Sequence, residues 1–133
     1  MRDIKFRCWD TENKEMLEVQ ELDYEDSYNG QPMIRTTMYS DYFDTEDMIL
    51  MQYVGLKDKN GKEIYEGDIV KFRFKDDREE FPDLIGYIEY QTTFTAFIIM
   101  SNQGSFKIDI TEIKFIEVIG NIYKNPELLE EGE

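Results

Sequence analysis

The chain has 133 residues, 41% of them hydrophobic, which is enough to build the core of one domain without disulfides or a structural metal. Thirty Asp and Glu residues against fifteen Lys and Arg give a formal net charge of −15, which disfavours direct binding to the phosphates of nucleic acid. The sequence has no histidine and one cysteine, which excludes histidine-dependent catalysis, internal disulfides and cysteine-based zinc sites.

The start of the chain, Met1–Lys5, is charged and lacks the apolar core of a signal peptide. No later segment approaches the roughly 18 consecutive apolar residues that a membrane span requires. Together with the low cysteine content, these features predict a soluble cytoplasmic protein that does not associate with membranes.

A β-hairpin is the first predicted element. The strand Ile4–Trp9 and the apolar run Met16–Leu22 are separated by a polar break at 10–14. Alternation places Cys8 on the inner face with Phe6, which favours a small buried hydrophobe over a nucleophile. If this first strand lies at a sheet edge, it could pair with a second copy, so a homo-oligomer is one hypothesis.

Residues 23–47 are the least regular part of the chain, and we expect them to form a mobile acidic region with one strand at Met33–Tyr39. Two clusters of acidic residues flank that strand and are predicted to lie in loops: Glu21, Asp23, Glu25 and Asp26 before it, and Asp41, Asp44, Glu46 and Asp47 after it. The second cluster could hold a magnesium ion, but a solvated acidic loop is the preferred interpretation.

The central segment predicts strands joined by tight turns. A strand Met48–Leu56 leads to a turn at Asn60-Gly61, where both residues tolerate positive φ, and Glu63–Tyr65 returns along it. Asp58 begins a short stretch similar to a calcium loop, but its glycine stands at the fourth position rather than the sixth, so we interpret the stretch as a turn.

A further strand, Ile69–Phe74, follows the Gly67-Asp68 step, where the aspartate can accept hydrogen bonds from nearby backbone. Lys71, Arg73 and Lys75 alternate with apolar residues and would share one face of that strand. Such a row could contact nucleic acid, but an ordinary solvated face is the preferred interpretation.

The second half predicts four more strands, at Leu84–Tyr90, Phe94–Met100, Phe106–Ile110 and Ile113–Tyr123. Asn125 and Pro126 then predict the start of a short helix that docks Leu128 and Leu129, before an acidic tail at 130–133. The predicted fold class is all-β and mainly antiparallel: a small barrel or sandwich with SH3-like character in the second half and a short C-terminal helix.

Three segments, Ile4–Asp10, Leu50–Val70 and Val118–Leu129, resemble the YopX family of phage and prophage proteins. The resemblance implies a single YopX-like domain over 1–133, a location in the cytoplasm of a bacterial host cell and no established biochemical activity. The family-motif residues, for which it implies a structural role, are Trp9, Asp10, Tyr53, Gly55, Asp58, Gly61, Tyr65, Gly67, Asp68, Gly120, Asn121 and Pro126.

No recognisable catalytic constellation, cofactor motif or metal-ligand spacing occurs in the sequence, so we predict a protein that is not an enzyme and needs no cofactor or metal. The first functional hypothesis is an accessory protein that binds a host or phage protein, favoured by nine Phe and nine Tyr residues. The alternative is an acidic mimic of DNA that blocks a nucleic-acid-binding protein of the host. A carboxylate metal enzyme is a weaker third hypothesis.

Overall fold

The structure is a computed structural model that describes residues 4–28, 30–75, 82–93, 95–102, 104–108 and 113–131. Within these residues the chain forms strands β1 (Phe6–Asp10), β2 (Glu15–Tyr28), β3 (Gln31–Thr36), β4 (Tyr42–Phe43), β5 (Met48–Lys57), β6 (Glu63–Tyr65), β7 (Asp68–Phe74), β8 (Leu84–Gln91), β9 (Ala96–Ser101), β10 (Gly104–Lys107) and β11 (Ile113–Asn121), and one helix, α1 (Glu127–Glu131).

The strands lie in two sheets, with the orders β4-β3-β2-β1-β5-β6 and β10-β9-β8-β7-β11. The chain divides into two compact units, residues 1–53 and 54–133. The predicted all-β, mainly antiparallel class with a short C-terminal helix is confirmed. Neither sheet closes into a barrel in the part of the chain that is described, so the barrel alternative is wrong.

The first unit is built on the predicted hairpin. β1 and β2 pair antiparallel, with Cys8 opposite Leu17, and the turn between them contains Lys14 at a φ of 56°. Cys8, Leu17, Ile34 and Met48 form the buried core of this unit. The inner position predicted for Cys8 is confirmed, because its side chain is fully buried.

Two predictions for the first unit are wrong. β1 is not an edge strand: it lies between β2 and β5, so its backbone is paired on both sides. The acidic residues from Glu21 to Asp26 are not in a loop, since β2 continues through them to Tyr28. The strand predicted at Met33–Tyr39 is present as β3, shifted two residues earlier and ending at Thr36.

The second unit has a larger core. Its buried hydrophobic residues come from the end of β5 and from β6 to β9 and β11: Val54, Ile64, Val70, Phe72, Ile88, Ile99, Ile113 and Ile116. Phe72, Phe74 and Phe106 pack edge to face, with centroids 5.0 to 5.9 Å apart. The four strands predicted here correspond to β8 to β11, although Phe94 and residues 109–112 lie outside the described part.

The C-terminal segment folds back on the second unit. A Cβ atom at Gly120 would lie 2.6 Å from Asn125 Oδ1 and 3.0 Å from Leu128 Cδ1, so the Asn125 and Leu128 side chains pack closely against this glycine. The Asn125 side chain does not cap α1 as predicted; its Oδ1 accepts a hydrogen bond from the Asn121 amide. Leu128 and Leu129 are partly buried, as their predicted docking requires, and Glu130 and Glu131 belong to α1 rather than to a tail.

In the residues that the structure describes, no helix is long and apolar enough to cross a membrane.

Candidate functional site

The turn after β5 is organised by one buried side chain, that of Asp58. Its Oδ1 accepts hydrogen bonds from the amides of Asn60 and Lys62, both at 2.9 Å. The Gly61 amide donates to the Asp58 carbonyl, and Gly61 has a φ of 83°. The predicted turn at Asn60-Gly61 is present, and Gly61 is the one of these two residues that has a positive φ. Asp58 therefore holds a turn, as the sequence predicted.

The same carboxylate ties the turn to β11. Asp58 Oδ2 accepts the amide of Val118 at 2.9 Å, and the Lys59 amide donates to the carbonyl of Ile116 at 2.9 Å. Burial raises the pKa of Asp58, but the hydrogen bonds from Val118, Lys62 and Asn60 outweigh this effect and lower the pKa overall. The turn thus covers part of the outer edge of β11.

Beside this junction lies an open groove with a volume of about 190 Å³. Its lining combines apolar side chains with exposed lysines and one buried carboxylate. We call it the lysine-rimmed groove; it is lined by Leu56, Ile108, Ile113, Phe115 and Ile116 together with Lys57, Asp58, Lys59 and Lys114. The three lysines are exposed, whereas Ile113 and Ile116 are buried.

Lys59, one of the lysines of the groove, has an acidic and an aromatic neighbour. Glu117 lies 3.8 Å from Lys59 and 3.6 Å from Lys71, and also accepts a hydrogen bond from Asn60. The Lys59 ammonium is 5.2 Å from the ring centroid of Phe115, a cation–π distance. Lys59 is therefore held between the Glu117 carboxylate and the Phe115 ring, and Glu117 is shared with Lys71, which lies outside the groove lining.

The other acidic family-motif residues also hold turns. Asp10 is buried, and its carboxylate accepts hydrogen bonds from the amides of Glu12 and Asn13 and from the Asn13 side chain, at 3.0 to 3.1 Å. Burial raises the pKa of Asp10, but the bonds from Asn13 and Glu12 lower it overall. Asp68 is buried and accepts the amide of Tyr65 at 2.8 Å, as predicted for this step.

The remaining motif residues are distributed over the fold rather than gathered at one site. Trp9 is buried in β1, and Tyr53 is buried with its amide bonded to the carbonyl of Lys5. Gly55 and Gly67 have φ values of 92° and 83°.

The C-terminal motif residues likewise form a turn. Asn121 Oδ1 accepts the amides of Tyr123 and Lys124, between Gly120 and the exposed Pro126 that precedes α1. Of the motif residues, only Asp58 lines the lysine-rimmed groove.

The other residues considered as chemical candidates in the sequence, namely the acidic cluster at 41–47, the basic row on β7 and Cys8, make contacts that support the fold. Asp44 Oδ1 accepts the amides of Glu46 and Asp47, and in the described ranges no three His, Cys, Asp or Glu side chains could jointly hold a metal ion. The basic row on β7 is partly paired, since Lys71 faces Glu117 and Arg73 bonds to Asp83 at 2.8 Å. Burial, with a smaller effect of Asp10, raises the pKa of the Cys8 thiol to about 11.

The lysine-rimmed groove was missed in the sequence. The lining residues at 56–59 and those at 108 and 113–116 are separated by about fifty residues, and no periodic pattern connects them. The one available signal was the placement of lysines on both sides of Asp58, directly after an apolar strand. These lysines border a groove only because the Asp58 turn is bonded to β11, and the sequence does not show that pairing.

Comparisons with known proteins agree on one family. The family model described as YopX protein matches residues 5–130. No curated protein matches the chain. The crystal structure of protein EF1440 from Enterococcus faecalis is 29% identical, with a TM-score of 0.57 and coverage of 97% of this chain and 99% of that one. The crystal structure of protein yopX from Bacillus subtilis is 27% identical, with a TM-score of 0.63 and coverage of 97% of both chains. The chain belongs to the YopX family.

Proposed function

We propose that this protein is a non-catalytic accessory protein, encoded by a phage or prophage, that binds a host or phage protein in the host cytoplasm through the lysine-rimmed groove. The observation that supports this proposal is an exposed apolar groove bordered by three lysines. Exposed apolar surface with a polar rim is typical of interaction sites.

The placement of Asp58 supports the same proposal. A carboxylate that accepts three backbone hydrogen bonds fixes the position of the residues on either side of it, here Lys57 and Lys59. A rigid element reduces the entropy lost when a partner binds. The family motif would then act as the scaffold of the binding surface rather than as its contact residues.

Capture from a bacterial lysate tests the proposal when it is made with matched variants. One variant, K57E/K114E, reverses two charges of the groove, and the control, K75E/K124E, makes the same change at exposed lysines outside it. Both variants have the same net charge, and urea unfolding establishes that each is folded.

A partner that wild type and the control retain, and that K57E/K114E loses, is the expected result. If K57E/K114E retains every partner of the wild type, the groove is not the interaction surface and the proposal is wrong.

The second candidate is the acidic mimic of DNA, and β2 supplies an observation in its favour. Glu21 and Asp23 are two residues apart in regular register with β3, opposite Arg35 and Met33, so they follow the alternation of one strand face. It ranks second because Glu21 is bound by Arg35 at 2.9 Å and by the Tyr42 hydroxyl at 2.6 Å, which reduces its free charge.

Competition with duplex DNA for a basic partner of the host tests the mimic. Displacement of the DNA at low salt, lost in E21Q/D23N and retained in E46Q/D47N, would establish it. If the protein displaces DNA from none of the captured partners, the DNA-mimic hypothesis is wrong.

A further inference from the structure

We propose that Asn60 is a site of deamidation that the folded Asp58 turn, residues 58–62, shields, and that conversion to isoaspartate prevents this turn from re-forming. Asparagine deamidates most readily before glycine, because glycine has no side chain to hinder its amide nitrogen. Asn60 and Gly61 are such a pair, and both are exposed to water. The reaction needs no enzyme, so it is independent of any partner that the groove binds.

The reaction closes a succinimide ring and then opens it. The Gly61 amide gives its proton to hydroxide, and its nitrogen bonds to Cγ of Asn60. The bond from Cγ to Nδ2 breaks, and this nitrogen takes a proton from water and leaves as ammonia, which restores the hydroxide. Water then opens the ring at one of its two carbonyls and leaves aspartate or isoaspartate and one proton. No oxidant or reductant takes part.

The folded turn opposes the first step of this reaction. The Gly61 amide donates its proton to the Asp58 carbonyl at 2.9 Å. Ring closure must break this hydrogen bond, because the nitrogen cannot keep its proton and also bond to Cγ. The leaving group is held as well, since Nδ2 of Asn60 donates to Glu117 Oε2 at 3.3 Å.

The backbone around the pair is closed by further hydrogen bonds. The Asp58 amide donates to the Lys62 carbonyl at 2.7 Å, and Asp58 Oδ1 accepts the amides of Asn60 and Lys62 at 2.9 Å. These bonds span the Asn60–Gly61 peptide, so that peptide cannot rotate unless they open. Local opening of the turn must therefore precede deamidation, as it precedes hydrogen exchange of protected amides.

The products no longer fit the turn. Isoaspartate places the side-chain methylene of residue 60 in the main chain, which displaces the Gly61 amide from the Asp58 carbonyl. Aspartate keeps the main chain but places a carboxylate beside Glu117, where the Asn60 amide donated a hydrogen bond. The repulsion between the two carboxylates is reduced by the lysines that pair with Glu117. Isoaspartate is therefore the more disruptive product.

Peptide mapping by mass spectrometry tests the proposal, with the converted residue located by fragmentation. The wild type is incubated at mildly alkaline pH, folded and in urea. Asn29, which lies outside the described residues but also precedes glycine, shows in urea that the conditions support the reaction. Asp58→Asn weakens the turn, and Asp41→Asn, at an exposed position outside it, is the matched control.

Conversion of Asn60 should be at least about tenfold slower in the folded wild type than in urea, because the folded turn must open first. Folded Asp58→Asn should convert at least about tenfold faster than folded wild type, since a hydrogen bond to a charged group contributes more than the free energy of a tenfold change. Asp41→Asn should stay within about twofold of wild type.

The effect of the product on the turn is measured separately. The isoaspartate form, isolated by ion exchange, should unfold at a lower urea concentration than unmodified protein, and Asn60→Asp should lie between the two.

Equal rates of conversion of Asn60 in folded and in urea-unfolded wild type would overturn the shielding, as would a folded Asp58→Asn that converts no faster than wild type. If Asp58→Asn does not fold, the comparison of folded with unfolded wild type still decides this point. An isoaspartate form that unfolds at the same urea concentration as unmodified protein would overturn the effect on the turn.

Discussion

At the scale of single residues, Asp58 is the side chain on which the groove most depends. Asp58→Asn keeps the shape but replaces one acceptor oxygen with an NH₂ group, which faces a backbone amide donor. Hydrogen bonds to a charged group contribute about 1.5–3 kcal/mol each, so we expect a loss of about 2–3 kcal/mol in the free energy of unfolding. Urea unfolding measures it. Asp41→Asn, at an exposed position, is the control and should change stability by less than about 0.5 kcal/mol. Equal stability of the two variants would contradict the role assigned to Asp58.

The lowered pKa of Asp58 predicts how this loss depends on pH. An unfolded aspartate has a pKa of about 3.9, and the folded value lies below its ordinary value. The contribution of the carboxylate is therefore fully present above the unfolded pKa and is lost as pH falls through the folded pKa. The stability difference between wild type and Asp58→Asn should be constant near neutral pH and shrink below about pH 4. A difference that grows on acidification would show that the sign is wrong.

Cys8 provides a prediction about reactivity. A fully buried thiol with a pKa of about 11 has almost no thiolate at neutral pH and no access to reagent. A disulfide reagent such as Ellman's should label the native protein only as fast as it opens, and label urea-unfolded protein at once. Rapid labelling of the native protein would contradict the burial of Cys8.

At the scale of elements, the sequence predicted those hairpins and turns that depend only on residues close together in the chain. The β1–β2 hairpin follows from two apolar runs and a polar break, and the turn after β5 follows from Asp58 and Gly61. The length of β2 could not be predicted, because Glu21 and Asp23 are stabilised in a strand by pairing with β3 rather than by their own propensity. The central place of β1 depends on β5, about forty residues away.

Gly86 tests how closely β8 and β9 pack. A Cβ atom there would lie 2.6 Å from the Met100 carbonyl oxygen and 2.8 Å from Ile99 Cγ2, and the carbonyl cannot rotate away without moving β9. We expect Gly86→Ala to reduce the free energy of unfolding by about 1–3 kcal/mol. Gly120→Ala should cost less, since the atoms near it belong to the side chains of Asn125 and Leu128, which can shift. Urea unfolding of both variants gives the order, and the reverse order would contradict this account.

At the scale of the whole molecule, the sequence gives the net charge of the protein but does not show where charged side chains gather on its surface. Lys57 and Lys59 are adjacent to Asp58 in the chain, yet Lys114 joins them only because the Asp58 turn bonds to Ile116 and Val118. Such a cluster depends on long-range pairing, which a single sequence does not display. Several residues of the family motif, by contrast, form turns with local requirements that a sequence displays, such as Asp58 with Gly61 and Asn121 with Tyr123.

The net charge of the whole chain predicts how salt affects folding. The net charge of −15 makes the folded protein repel itself, so screening should stabilise it. Between about 0.01 M and about 1 M salt the Debye length falls from about 30 Å to about 3 Å, so one sodium chloride series covers the effect. The unfolding temperature should therefore rise across this series. An unfolding temperature that falls or stays constant as salt is added would show that self-repulsion does not limit the stability of the fold.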